Sequence, residues 1–209
     1  IENPKSVNSM TDWFAARGNR TLWSDLGAKD QFYSKLAWET YLIDQNLPDT
    51  LSYISAFNGK YGIEQKQSIY RSGNQGSYDF SLSANIEDKL FVGGSLGITS
   101  VKFKELKRLE EVDTHDSIPE FNGFAFKEQL ETSGSGINFK FGVLYSPVTW
   151  MRVGAAIHTP TFYKLRDKYS TQAESDFLDA SMSLTESSPL GRFDYELSTP
   201  FRANASLGF

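Results

Sequence analysis

The chain of 209 residues contains no cysteine and no excess of basic residues, with 21 Lys and Arg against 26 Asp and Glu. The absence of cysteine excludes a disulfide scaffold, a thiolate metal site and a cysteine nucleophile. A net charge of −5 disfavours a nucleic-acid partner, which would require a basic surface. Because only two histidines are present, any histidine-based metal or catalytic site would have to use one of them.

Long hydrophobic runs are also absent. No segment approaches the ~18 consecutive apolar residues of a membrane-spanning helix, and the longest clean stretch is 153–157. This does not exclude a membrane, because a β-barrel strand crosses with ~9–11 residues of alternating character. The start of the chain lacks a signal peptide, so we expect a mature, processed or recombinant chain. An aromatic content of 14% indicates a folded rather than a disordered chain.

Residues 1–60 form a helical and loop segment in our interpretation. The stretch 30–43 contains no Gly or Pro, and Phe32, Leu36 and Ile43 would share one face of a helix. We therefore predict a short amphipathic helix there, ended by residues 46–49. Packing over a loop is the expected role of this helix, and contact with a ligand is the alternative.

From residue 63 the hydrophobic period changes to two. Apolar and polar residues alternate in six segments: 78–86, 90–99, 137–145, 151–158, 193–198 and 201–209. This alternation predicts antiparallel strands with one apolar and one polar face, and hence an all-β fold over 63–209.

The connections between these strands differ in length. Tight turns are predicted at 87–88, 146–148 and 199–200, and long charged loops at about 105–123 and 160–191. Short turns at one end and long loops at the other are typical of outer-membrane barrels. Aromatic residues near the strand ends, such as Tyr145 and Trp150, also favour a lipid-facing apolar side. The alternative is a soluble β-sandwich binding module, whose alternating apolar side chains would be buried between two sheets.

Four segments resemble the FadL/TodX family of outer-membrane transporters for hydrophobic compounds, in the style of its Bacteroidetes members. They are SANIEDKLFVGGSLGI (83–98), GSGINFKFGVLYSP (134–147), VGAAIHTPTFYKL (153–165) and FDYELSTPFRANASLGF (193–209). The resemblance covers roughly residues 76–209. It implies an antiparallel transmembrane β-barrel of 14 strands, monomeric when complete, in the outer membrane of a Gram-negative bacterium.

The resemblance also implies a function. Members of this family take up hydrophobic small molecules, such as long-chain fatty acids or aromatic hydrocarbons, by binding and diffusion, without a cofactor. In this family an N-terminal plug blocks the lumen, and the substrate is captured at extracellular loops, passes through an inner pocket and leaves sideways through a gap in the wall. This chain departs from the family in having only seven or eight predicted strands, and residues 3–5 do not match the start of the plug. We therefore expect one domain over 1–209 that is an internal fragment and a partial barrel, with the plug and wall gap unassigned.

No catalytic constellation is found, so we do not expect an enzyme, a cofactor or a metal. His158 is interpreted as structural. His115 lies in the acidic stretch 110–116, which is interpreted as a solvated loop, with weak binding of a divalent cation as the alternative.

Two further groups of residues have open roles. One group of cations would either bind lipopolysaccharide phosphates or balance charge at loop ends: Lys102, Lys104, Lys107 and Arg108. Five aromatic residues are plausible apolar contacts for a ligand, although loop packing explains them equally well: Phe121, Phe124, Phe126, Phe162 and Tyr163. No ligand-binding residue is therefore assigned from the sequence, and the expected partners are a hydrophobic substrate and outer-membrane lipid or lipopolysaccharide.

Overall fold

A computed structural model describes residues 1–6, 8–57, 62–114, 118–179, 181 and 183–209. Most of these residues lie in strands, and the protein is built on a large antiparallel sheet. Within these ranges, no helix has both the length and the apolar character needed to span a membrane.

The elements follow one another with short connections. The helices are α1 (Met10–Gly18), α2 (Leu26–Lys29) and α3 (Ser34–Glu39), with a 3-10 turn at Trp23–Asp25. The strands are β1 (Glu2–Ser6), β2 (Ile43–Asn46), β3 (Asp49–Ser55), β4 (Ile63–Ile86), β5 (Leu90–Val112), β6 (Phe121–Val148), β7 (Met151–His158), β8 (Phe162–Phe177), β9 (Thr185–Ser187), β10 (Gly191–Ser198) and β11 (Arg202–Gly208).

The nine-stranded sheet has the order β1-β4-β5-β6-β7-β11, and β8 pairs with β6, β9 and β10. Strands β2 and β3 form a separate pair. In the described residues, the sheet is not closed, because β1 and β11 each pair on one side only.

The contacts group the chain into two compact units. The first unit consists of Ile1–Ser72, Lys104–Leu130 and Lys168–Gly191, and the second of Gly73–Phe103, Glu131–Asp167 and Arg192–Phe209. The long strands β4, β5, β6 and β8 contribute residues to both.

The core of the first unit forms where the N-terminal helices pack on the sheet. Helix α1 begins at the N-cap Ser9, which forms a capping box with Asp12. Phe14 of α1 is fully buried, and its ring centroid lies 5.0 Å from that of Phe126 and 6.5 Å from that of Phe124. Burial of such rings supplies most of the stabilisation of this unit.

A buried carboxylate, Glu111 of β5, holds the start of α1. Its oxygens accept hydrogen bonds from Ser9 Oγ at 2.5 Å, the Met10 backbone N–H at 2.8 Å and Gln65 Nε2 at 2.7 Å. The side chain is completely inaccessible to solvent. Burial raises the pKa of Glu111, and neighbouring Asp12 raises it further, although the three hydrogen bonds favour the ionised form.

The predicted helix over 30–43 is shorter than expected. Only α3, Ser34–Glu39, is formed there, because the Asp30 carboxylate accepts hydrogen bonds from the Ser34 N–H and hydroxyl and from Arg17. Tyr41 has φ of 56°, a left-handed conformation that ends the helix before Ile43 enters β2. Helix α1 was not predicted.

The predicted long loops at 105–123 and 160–191 are wrong, because strands occupy most of both ranges. Many of their charged residues form ion pairs within a strand or between neighbouring strands instead of lining loops. Arg71 pairs with Glu105, and Lys107 pairs with Glu105 at 3.1 Å and with Glu128 at 4.0 Å. These highly charged stretches are therefore paired strands. The sequence pattern alone could not distinguish such strands from charged loops. His115 lies outside the described residues.

The predicted tight turns have mixed outcomes. The turn at Glu87 and Asp88 is confirmed, with both residues at φ of 53°, as a two-residue hairpin turn requires. The turn predicted at 146–148 lies slightly later, at Thr149 and Trp150. The turn predicted at 199–200 is wrong. Strand β10 pairs with β8, β11 pairs with β7, and the Thr199 N–H between them donates to the Thr161 carbonyl, so the chain continues in one direction there.

We predict that Glu111→Leu weakens the attachment of α1. Three donors would lose their acceptor, and each unpaired buried donor costs about 1–3 kcal/mol. The expected result is faster hydrogen exchange of the amides of α1 and a free energy of unfolding lower by several kcal/mol. Glu111→Gln is the matched control, since it keeps an acceptor of the same shape. Unchanged exchange in Glu111→Leu would contradict this role.

The raised pKa of Glu111 also predicts a pH dependence. The folded state holds the proton at higher pH than the unfolded state, whose carboxyl titrates near the ordinary value of 4.5. The contribution of Glu111 to stability is therefore complete below that value and is lost as pH rises through the folded pKa. In urea unfolding, wild type should lose stability relative to Glu111→Gln over this pH range. A difference in the free energy of unfolding between the two proteins that does not change with pH would refute this prediction.

Candidate functional site

One side of the second unit, here called the apolar face, exposes large hydrophobic side chains. Leu82 is 83% exposed, Phe80 64% and Phe139 53%. The other exposed large residues of this face are Tyr78, Ile86, Ile98, Ile137, Phe141, Tyr145, Val153, Ile157 and Leu207. A large exposed apolar surface of this kind is a candidate site for an apolar partner.

The strand pairings show that these side chains share one face. Ile157 of β7 lies between Ala203 of β11 and Phe141 of β6, directly opposite each of them. Two residues further along, Ala205 lies opposite Ala155, with Val143 beyond it. The residues of this second row are among those that line a groove of about 530 Å³.

The opposite side of the same strands, here called the polar face, is lined by small polar residues. Ser81 Oγ donates to Ser95 Oγ at 3.1 Å, and Lys140 Nζ forms an ion pair with Asp79 Oδ1 at 2.9 Å. Gly97 provides space beside this pair, since a side chain there would meet the carboxylate oxygen of Asp79. One face of the sheet is therefore apolar and the other is polar.

A row of three nitrogen-bearing side chains crosses the polar face. Lys140, His158 and Arg202 lie directly opposite one another on β6, β7 and β11. Lys140 and Arg202 therefore lie on either side of His158. Asp79 supplies one counter-charge to this row, so the row retains an excess of positive charge. Lys140 and His158 also line a groove of about 280 Å³ with serines of β4 and β5.

A β-bulge at Thr159 and Pro160 reverses which residues of the bulged strand face the polar side, from His158 before it to Thr161 after it. Lys140 pairs with His158, whereas Asn138 Nδ2 already donates to Thr161 Oγ1, so two residues oppose the single residue Phe139. The Thr199 N–H donates to the Thr161 carbonyl, so the next strand follows the same irregularity. Proline, which lacks an N–H donor, is tolerated in strands at such positions.

The bulge corrects the face assignment of β10. Tyr195 Oη lies 3.4 Å from Asp167 Oδ1, on the side of the polar face. Asp194 instead pairs with Arg166 at 2.6 Å, on the same side of β8 as Phe162. The sequence pattern had treated 193–198 as a strand whose aromatic residues lie on the apolar side.

The aromatic residues considered as ligand contacts separate into two groups. Phe121, Phe124 and Phe126 are buried in the core of the first unit. Tyr163 is buried in the second unit and accepts a hydrogen bond from Gln75 at 3.0 Å, whereas Phe162 is 57% exposed. Only Phe162 is thus available to a partner.

The cations considered as phosphate ligands are mostly engaged by carboxylates. Arg108 contacts Glu110 at 2.7 Å and Glu174 at 3.6 Å, and Lys107 pairs with Glu105 and Glu128. In the described ranges, no group of three or more His, Asp or Glu residues is arranged to hold a metal ion. The row of Lys140, His158 and Arg202 was missed in the sequence, because its members are far apart and only the strand register aligns them.

No protein-family model matches the chain, and no curated protein is significantly similar to it.

We predict that Asp79→Asn destabilises the second unit through the positive row. The substitution removes the carboxylate that Lys140 contacts at 2.9 Å, so the free energy of unfolding should fall slightly. Adding the substitution Arg202→Gln should recover part of the lost stability, and high salt should make the loss smaller. Urea unfolding of the single and double variants measures the effect. Equal losses with and without Arg202→Gln would show that the row does not act as one electrostatic group.

Proposed function

We propose that this protein is part of an outer-membrane β-barrel of the FadL/TodX type that takes up hydrophobic small molecules by binding and diffusion. The single observation that supports this most directly is the exposed apolar face of the second unit, opposite a polar face on the same strands. A transmembrane barrel strand has this alternation, with lipid on one side and a polar interior on the other. The finer proposal of a 14-stranded, monomeric barrel rests on the resemblance.

Changes along the strands support the same proposal. On β5, the positions that share the apolar face change from Val92, Leu96 and Ile98 to Ser100 and Lys102. The tight turn at Glu87 and Asp88 lies at the apolar end of this hairpin. A strand that leaves a hydrocarbon layer and continues into water would change character in this way.

The positive row on the polar face favours amphiphilic substrates with an anionic head, such as long-chain fatty acids. Lys140 and Arg202 offer charged donors, and charge-assisted hydrogen bonds to a carboxylate are the stronger kind. The grooves and the row of Lys140, His158 and Arg202 offer a binding surface and a path for such a substrate. The mechanism we propose needs no covalent step. A soluble sandwich would bury the residues that are exposed here, and no specific observation favours it.

We predict that Leu82→Arg destabilises the protein in a lipid bilayer far more than Ser81→Arg. An arginine on a lipid-facing position costs about 2–4 kcal/mol near the bilayer centre, whereas a polar interior accepts it. The two positions are neighbours on β4, so Ser81→Arg is a matched control for local strand effects. The measurement is urea unfolding from liposomes. Equal costs at the two positions, or a protein that stays folded and freely soluble without detergent, would overturn the membrane assignment.

Substrate binding is tested separately. The protein in neutral detergent should bind a fluorescent long-chain fatty acid saturably, and liposomes that contain it should take up the same probe. Lys140→Gln should weaken binding of the acid but leave binding of the corresponding alcohol unchanged, because only the acid carries a negative charge. Binding no stronger than to empty micelles, by protein whose circular dichroism shows it folded, would contradict the transport proposal.

A further inference from the structure

The second unit contains a cleft with one apolar and one charged end. Ile98, Ile137 and Phe162 line the apolar end, and Ser135, Lys164 and Glu196 line the other, with a volume of about 490 Å³. The three apolar side chains are exposed, at 43%, 41% and 57%. The cleft therefore lies at the border where the apolar face of the sheet becomes polar.

Strand pairing places two more cations beside the charged end. The Thr99 hydroxyl donates to the Gly136 carbonyl, and Gly134 lies against the backbone of Lys164. Continuing these antiparallel pairings by a few residues places Lys102 next to Ser133, and Ser133 next to Arg166. Lys102 lies on one side of Ser133 and Ser135, and Lys164 and Arg166 lie on the other. Because serine side chains are short, an open notch remains between these cations.

The cations at this end of the cleft are paired with carboxylates to different degrees. Lys164 approaches Glu196 only to 3.8 Å, and both side chains are largely exposed, so this pair contributes little and is readily exchanged for another partner. Arg166 is held more closely by Asp194 at 2.6 Å. Within the part of the chain that the structure describes, Lys102 forms no ion pair. Lys102, Lys164 and Arg166 thus face two carboxylates of β10, Asp194 and Glu196, which both lie at one side of the notch, and Glu131 lies two residues before Ser133 on β6.

We infer that this cleft binds a membrane lipid with an anionic phosphate headgroup. An acyl chain would cover Ile98, Ile137 and Phe162, and the phosphate would accept hydrogen bonds from Lys102 and Lys164. This inference rests on the proposed membrane location. The continuity of the apolar groove with the cations distinguishes a lipid from a free phosphate ion, which would leave the apolar end uncovered.

The test compares two lipids with identical acyl chains, phosphatidylglycerol and zwitterionic phosphatidylcholine. The full chain in neutral detergent is examined by native mass spectrometry, which counts bound lipids. Wild type should prefer phosphatidylglycerol. Each basic residue near an anionic surface is worth about a fivefold change in binding, so Lys102→Gln with Lys164→Gln should weaken phosphatidylglycerol binding by about tenfold or more. Phosphatidylcholine binding should not change.

Lys89→Gln is the matched control, because Lys89 is an exposed lysine of the same unit in the hairpin turn, and it should retain the preference. Circular dichroism establishes that each variant is folded, and the single Lys164→Gln variant serves if the double variant is not. Equal binding of both lipids by wild type, or an unchanged preference in the double variant, would overturn the inference. Displacement of the lipid by millimolar inorganic phosphate would also overturn it, in favour of a free-anion site.

These outcomes are distinct from failure of the proposed function. A chain that is folded but never associates with micelles would refute the membrane location itself. A chain that enters micelles but does not distinguish the two lipids would refute only the headgroup site.

Discussion

The continuous pairing of β4 with β5 is the constraint on which the two faces depend. Ser81 contacts Ser95 at one end of the hairpin, and Arg71 contacts Glu105 and Gln65 contacts Glu111 further along, all in one unbroken antiparallel register. Because side chains alternate between the two sides of a strand, a slip by one residue would move every apolar side chain to the polar face. Without this register there would be neither an apolar face nor a polar one.

The bulge at Thr159 and Pro160 shows how one extra residue changes the use of a strand. Before the bulge, β7 presents Ile157 to the apolar face; after it, β8 presents Phe162 and then Lys164 and Arg166 to that same side. Before the bulge the odd-numbered residues of the strand face the apolar side, and after it the even-numbered residues do. The charged residues that follow the bulge therefore lie at the border of the apolar face. The lipid cleft that we infer exists only because apolar and basic side chains meet there.

The first unit depends on a different interaction, the buried carboxylate of Glu111. Taking a carboxylate out of water is costly, and its three donors compensate for that cost only when α1 begins at the right place. The same contact then positions Phe14 against the rings of β6. A polar interaction thus specifies where the apolar packing occurs.

The sequence by itself determined the period-two alternation, and with it an all-β fold and an apolar and a polar side for 78–86, 90–99 and 137–145. Strand alternation is a local property of the backbone, so it can be read without knowing the partner strand. It also determined the hairpin turn at Glu87 and Asp88.

Tertiary structure decided what depends on partners distant in the chain. Most of the charged stretches at 105–123 and 160–191 is strand, and several of their charges meet an opposite charge on a neighbouring strand, which local composition does not reveal. The role of Glu111, the alignment of Lys140 with His158 and Arg202, and the change of face after Pro160 all depend on strand register. Register is set by pairing between residues far apart in sequence, so no local pattern contains it.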